Sequence, residues 1–164
     1  MWKLVNTIAV GGLENIGFGS ADTLMVLSSQ GIGIFDCLTG ERIFRDSGSW
    51  WENFDPVAAT VPGQDILSGN VIRVCGLDEP DFLSKETTDG WMLESIGPVP
   101  DDIPFEKYMV RKIFLTHKDG QYRELVDKDG PCELRAYGFS PTGNTLVVAL
   151  SCDLTIWSRV HQKP

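Results

Sequence analysis

Histidine is scarce in this chain. The 164 residues contain two, His117 and His161, and neither stands beside a serine or cysteine in an arrangement that would activate a nucleophile. Cysteine is almost as rare. Cys37, Cys75, Cys132 and Cys152 show no CxxC spacing and no accompanying pair of histidines, which excludes a zinc site of the usual kind. No apolar run approaches the roughly 18–20 residues that span a bilayer. The opening residues Met1-Trp2-Lys3-Leu4-Val5-Asn6 lack the basic stretch, apolar run and small-residue cleavage site of a secretion signal. With no such signal, the four cysteines are expected as reduced thiols packed like small hydrophobes, in a cytoplasmic protein.

Other chemical signatures are missing as well. Gly17-Phe18-Gly19-Ser20 and Gly31-Ile32-Gly33 lack the third glycine and following helix of a phosphate cradle. Asp127-Lys128-Asp129-Gly130 resembles the start of a calcium loop, but the later acidic ligand is misplaced, and a hairpin turn accounts for it. Asp101-Asp102 could be paired carboxylates for acid–base work, yet their setting among Pro98, Pro100 and Pro104 reads as a charged loop. These absences lead us to expect no enzyme activity, no metal and no cofactor.

What is present is a core-forming composition with an uneven charge. Apolar residues make up 42% and aromatics 10% of the chain, enough to offset the entropy of folding, and the length suits one domain. The net charge is −9. Residues 46–106 hold thirteen acidic side chains against Arg73 and Lys85, a balance of −11, while the flanks together carry +2. A surface of that sign argues against nucleic-acid binding, which needs cations for phosphate neutralisation. It permits attraction to a basic protein.

The flanks read as strands and turns. Leu4–Val10, Leu24–Leu27 and Ile32–Phe35 are apolar or alternating stretches separated by Gly, Asp and Ser clusters, the pattern of half-buried sheet. After residue 107 come Tyr108–Thr116, Gln121–Val126, Cys132–Phe139, Thr145–Leu150 and Leu154–Trp157, joined by turns such as Lys118-Asp119-Gly120. Asp-Gly supplies the positive φ of tight hairpins, so this half predicts a meander. In the middle, only Val71–Cys75 and Trp91–Ile96 have strand character, and Pro80–Lys85 carries one turn of helical pattern.

One internal repeat stands out. Gly17-Phe18, Thr23–Ser28 and Ile34-Phe35-Asp36 align with Gly138-Phe139, Thr145–Ser151 and Ile156-Trp157-Ser158, with one extra residue in the second turn. Phe139-Ser140-Pro141-Thr142-Gly143 followed by Leu154-Thr155-Ile156-Trp157 resembles the WD-type β-propeller repeat, whose strands close on Trp-Asp. The first copy keeps the acid as Asp36 but has Phe35 for Trp; the second keeps Trp157 but has Ser158 for Asp. The copies lie 122 residues apart, about three periods of such a repeat. The resemblance implies an all-β antiparallel meander, a small or incomplete propeller-like arrangement of about three to four sheets. A two-layer β-sandwich is the alternative.

The middle segment also carries the candidate surface. Trp50-Trp51, extended, would direct one indole to each face. Acidic residues around exposed aromatics make an interface composition, with rings for energy and charges for steering. The candidate partner-binding residues are Trp50, Trp51, Glu52, Asp55, Asp78, Glu79, Asp81, Asp101 and Asp102. In size, acidity and lack of catalytic motifs the chain is similar in type to small bacterial immunity proteins. That likeness implies a non-enzymatic inhibitor that occludes a basic toxin, such as a nuclease. The WD-like segments imply instead a scaffold or adaptor, and a third class, a small hydrolase or ligand-binding β domain, would need a pocket in the middle segment.

Overall fold

In the second repeat, β-branched and aliphatic residues line both sides of each strand, so these strands must be covered on two faces. The computed structural model, which describes residues 1–103 and 108–160, shows how. His161 and Glu106 lie outside the described residues. The chain forms β1 (Lys3–Ala9), β2 (Leu13–Phe18), β3 (Thr23–Ser28), β4 (Gly31–Asp36), β5 (Glu41–Asp46), β6 (Thr60–Pro62), β7 (Val71–Arg73), β8 (Cys75–Gly76), β9 (Trp91–Pro100), β10 (Met109–His117), β11 (Arg123–Lys128), β12 (Leu134–Phe139), β13 (Thr145–Leu150) and β14 (Asp153–Ser158). The protein is all-β, and its paired strands are antiparallel.

Four sheets result, ordered β5-β4-β3-β2-β8, β1-β14-β13-β12, β11-β10-β9 and β6-β7. The two larger ones are the two repeats. Met25 pairs with Gly17 and Ile34 in one, and Val147 pairs with Gly138 and Ile156 at the matching positions of the other. The fourth place beside β4 is taken by β5, whereas the place beside β14 is taken by β1 from the opposite end of the chain. The two termini therefore share one sheet.

Period-two alternation assigns each strand two packing partners. Leu24, Val26 and Phe35 face Val147, Ala149, Leu154 and Ile156 in a core between the repeats. Met25, Leu27, Ile32 and Ile34 turn the other way, onto Trp50, Val61, Leu67 and Ile72 beneath the β6-β7 hairpin. Leu146, Val148, Leu150 and Trp157 pack on Leu93, Ile113, Leu115 and Val126 of the β9-β10-β11 sheet. The layers thus run β9–β11 sheet, second repeat, first repeat, β6-β7 hairpin. The acidic middle supplies the covering of the first repeat and one strand, β9, of the covering of the second.

The repeats meet through a buried carboxylate. Asp22, in the turn after β2, accepts hydrogen bonds from Ser140 Oγ at 2.6 Å, Thr142 Oγ1 at 2.9 Å and Thr145 Oγ1 at 2.7 Å, all in or beside the equivalent turn of the other repeat. Gly17 and Gly138 mark equivalent close approaches of the middle segment. A Cβ on Gly17 would lie 2.1 Å from the Arg73 carbonyl, and one on Gly138 would lie 2.3 Å from Leu83 Cβ.

Several expectations are corrected. Pro80–Lys85 forms no helical turn; Ser84 instead bridges to Phe139 at the edge of β12. The helical geometry falls at 3₁₀ turns over Trp50–Asn53 and Asp65–Leu67. The middle is also more regular than expected, because β6 forms and β9 runs on to Pro100. Proline is tolerated there since β9 is an edge strand. The cysteines are not all thiols. Cys132 and Cys152 form a disulfide, and only Cys37 and Cys75 remain free, both buried. Burial pushes the Cys37 thiol upward and holds Cys75 at about 11, so both stay protonated and unreactive. The disulfide removes the cysteine argument for a reducing compartment. Among the described residues no helix is long and apolar enough to cross a membrane.

Candidate functional site

The nine candidate residues do not share one face. Trp50 and Trp51 sit on a 3₁₀ turn rather than an extended strand, yet the turn still separates their indoles. Trp50 is 6% exposed, packs on Phe54 edge to face at 5.9 Å, and donates its Nε1–H to the Ser28 carbonyl at 2.8 Å. A satisfied, buried indole of this kind is a core residue, and Trp50 leaves the set of partner-facing candidates. Trp51 stacks edge to face on Trp50 at 5.9 Å and is 52% exposed.

Around Trp51 the covering has an unusual surface. From Asp46 to Ile72 there is no Lys or Arg, and Val57, Ile66 and Val71 are exposed by 96%, 63% and 71%. Glu52 and Asp55 are exposed beside them. Asp55 spends one oxygen on the backbone N–H groups of Val57 and Ala58, at 2.9 and 3.2 Å, which shapes the turn into β6. Asp65 opens the second 3₁₀ turn with a φ of 49°, a left-handed conformation that Asp tolerates better than most residues. Among the described residues, no Lys, Arg or His lies within ion-pair distance of Glu52, Asp55 or Asp65. Asp65, Val57, Ile66 and Val71 were not predicted. Val71 does alternate with buried Ile72, a signal that could have exposed it, but Ile66 projects from a turn that has no period to read.

The remaining acidic candidates lie elsewhere, and among the described residues all but Glu79 commit a carboxylate oxygen to another group. Asp78 accepts from Asn15 Nδ2 at 2.7 Å and donates its backbone N–H to Asn15 Oδ1 at 3.1 Å, which satisfies a fully buried asparagine. Glu79 gives its carbonyl to the Gly76 N–H at 2.7 Å. Asp81 pairs with Lys85 at 2.8 Å and accepts the N–H groups of Leu83 and Tyr137 at 2.9 and 3.0 Å. Asp101 pairs with Lys128 at 2.8 Å, and Asp102 with Lys112 at 2.6 Å. The Lys128 ammonium holds the Asp101 carboxyl below its ordinary range. Asp101 and Asp102 thus serve separate lysines rather than forming a catalytic pair. His117 contacts Asp119 at 2.9 Å and packs edge to face on Trp91 at 4.8 Å. Among the described residues, no cluster of His, Cys, Asp and Glu has the geometry to hold a metal ion.

The structure therefore keeps Trp51, Glu52 and Asp55 together on the outer covering of the first repeat, and adds Asp65 with three exposed aliphatic residues. It places Asp78, Glu79 and Asp81 at the junction of the repeats and Asp101 and Asp102 on the opposite covering. No known family model matches the chain, and no curated protein matches it in sequence.

Proposed function

We propose that this chain is a non-enzymatic protein-binding module that occludes a basic partner, in the manner of a small immunity-type inhibitor, through the covering of the first repeat. The single observation behind this reading is the coincidence, on one segment, of exposed Trp51, Val57, Ile66 and Val71 with the carboxylates Glu52, Asp55 and Asp65, which form no ion pair among the described residues. Aromatic and aliphatic groups gain free energy when a partner removes them from water. Carboxylates without internal counterions steer a cationic surface into register and disfavour an anionic one.

Affinity capture from the native host at graded salt tests this, using wild type and the triple variant Glu52→Lys, Asp55→Lys, Asp65→Lys. The expected result is a basic protein whose own activity is blocked by wild type. Its association with the triple variant should slow by about tenfold or more and lose its salt dependence, because peripheral charges act chiefly on the on-rate. A captured partner that associates with both forms at the same rate in low salt would remove the acidic covering from the site.

A scaffold reading, related to WD-type repeats, draws on a different observation. The N-terminal β1 completes the C-terminal repeat sheet, an arrangement suited to a closed or extendable series of sheets. It predicts several partners that compete for the sheet ends, and insensitivity to the triple charge reversal.

A further inference from the structure

A second feature lies away from the acidic covering. Because Asp22 ties the turn after β2 to the turn after β12, these two turns stand side by side, and residues 82–88 pass across them. The end of β2, the turn after β12 and residues of the 82–88 segment border a cleft of about 400 Å³ with a largely apolar wall that includes Phe18, Leu83 and Phe139. That volume falls within the roughly 300–1,000 Å³ of small-ligand sites, which are typically apolar with a few converging polar groups.

Two guanidinium groups border the cleft, and they differ in state. Arg159 is neutralised by Asp89 at 2.5 Å, and this pair holds the Asp89 carboxyl at about 2. Arg73 lies over the Phe82 ring at 4.1 Å and has no carboxylate within ion-pair distance among the described residues. A cation–π contact engages no N–H of the guanidinium, which leaves the N–H fork available for two hydrogen bonds to an oxyanion. Thr88 borders the same space, and its hydroxyl has no hydrogen-bond partner among the described residues. Glu86 also lines the cleft, and its charge disfavours a ligand carrying more than one negative charge.

We propose that this cleft binds a monocarboxylate with an apolar body, the carboxylate on Arg73 and the body against Phe18, Leu83 and Phe139. Two kinds of molecule share that chemistry: a free aromatic or aliphatic acid, and the C-terminal residue of a peptide. The site does not depend on the acidic covering being an interface, and reversing Glu52, Asp55 and Asp65 should leave it intact.

Amide NMR titration of the whole chain with 3-phenylpropionate, with the tripeptide Gly-Ala-Phe as free acid, with its C-terminal amide, and with inorganic phosphate tests the proposal. At least one of the two acids should give saturable shifts at Thr88, Thr142 and Gly143. Binding by the tripeptide alone identifies a chain terminus as the ligand; binding by phenylpropionate identifies a free acid. Amidation, and separately Arg73→Gln, should each weaken binding by about tenfold or more, since each removes one side of a charged, bidentate contact. Thr88→Trp, at an exposed position, should fill the mouth and abolish binding while the rest of the spectrum is retained. The proposal is overturned if neither acid binds up to its solubility limit. Equal affinity for the amide, an Arg73→Gln variant that binds like wild type, or phosphate binding tighter than either acid would also overturn it.

Discussion

The two halves of the acidic middle are both net acidic, but their carboxylates are paired to different extents. Residues 46–76 cover the first repeat, held by the apolar undersides of Trp50, Val61, Leu67 and Ile72, with Glu52, Asp55 and Asp65 left outward. Residues 78–102 run across the junction and onto the outer sheet over the second repeat, and four of their eight carboxylates are paired: Asp81 with Lys85 of the same segment, Asp101 and Asp102 with Lys128 and Lys112 on neighbouring strands of that sheet, and Asp89 with Arg159 just after β14. Three of those four cations come from the flank after residue 107, the part of the chain that looked nearly neutral by itself. An excess of charge in a stretch of sequence therefore does not define a charged face. Only carboxylates without an internal counterion remain to act on a partner.

The comparison breaks most visibly where each covering is anchored. Trp50→Ala should loosen the first covering and Trp157→Ala the second, each by about 3–5 kcal/mol, because both indoles are buried and hydrogen-bonded. Thermal melts of the two variants should show similar losses. Unchanged melting for Trp50→Ala would mean that the first half is no part of the core.

A smaller loss, about 1–3 kcal/mol, is expected for Asp22→Ala, which leaves the hydroxyls of buried Ser140 and Thr145, and of exposed Thr142, without this acceptor. It acts beneath both halves, so hydrogen exchange should quicken at the turns of both repeats. Exchange confined to one repeat would show that the network belongs to that repeat alone.

Smaller still is the effect of Trp51→Ala on stability, within about 0.5 kcal/mol, as for exposed positions generally. The same change should cost the proposed partner about 2 kcal/mol or more of affinity, if Trp51 anchors the contact. A variant that destabilises the protein as much as Trp50→Ala would erase the distinction between the neighbouring indoles.

Acid should separate the halves with the smallest energies. Hydrogen bonds from Arg159 and Lys128 lower the Asp89 and Asp101 carboxyls, so their contribution is complete above the ordinary carboxylate range and fades as pH falls; for Asp89 it persists to about 2. Exchange at β9 and β10 should rise on acidification, while the first covering holds. Burial raises Asp127 and Asp153, and the sign there is opposite. The cost of keeping them charged is present at neutral pH and is relieved as pH falls through their raised values. Asp127→Asn should accordingly stabilise the protein at neutral pH in denaturant titrations, and a loss of stability would contradict that account.

Much of the fold was legible from residue pattern. Thr23–Ser28 and Thr145–Leu150 announced themselves by β-branched and aliphatic runs, and the repeat they anchor reappears as matched strand pairs. Leu13–Phe18 was missed as a strand because Glu14, Asn15 and Gly17 interrupt its apolar character. Asn15 is nevertheless buried, since Asp78, 63 residues away, satisfies its amide. Glu41–Asp46 was missed because charges guard an edge strand and mask its alternation. The disulfide had a signal that went unread. Cys132 and Cys152 are equidistant from Thr142 in the hairpin turn, and with Leu134 paired to Leu150 the two cysteines must meet across the strands.

The sequence by itself determined the all-β class, the antiparallel meander, the repeat and the acidic bias, because period-two alternation, turn residues and net charge are local or additive properties. Tertiary structure alone decided which tryptophan of an adjacent pair is buried and, among the described residues, which carboxylates keep an unopposed charge and which arginine borders a cleft without a counterion. Each of these depends on partners tens of residues distant, and a hydrogen bond or ion pair exists only once folding brings its two ends within about 3 Å.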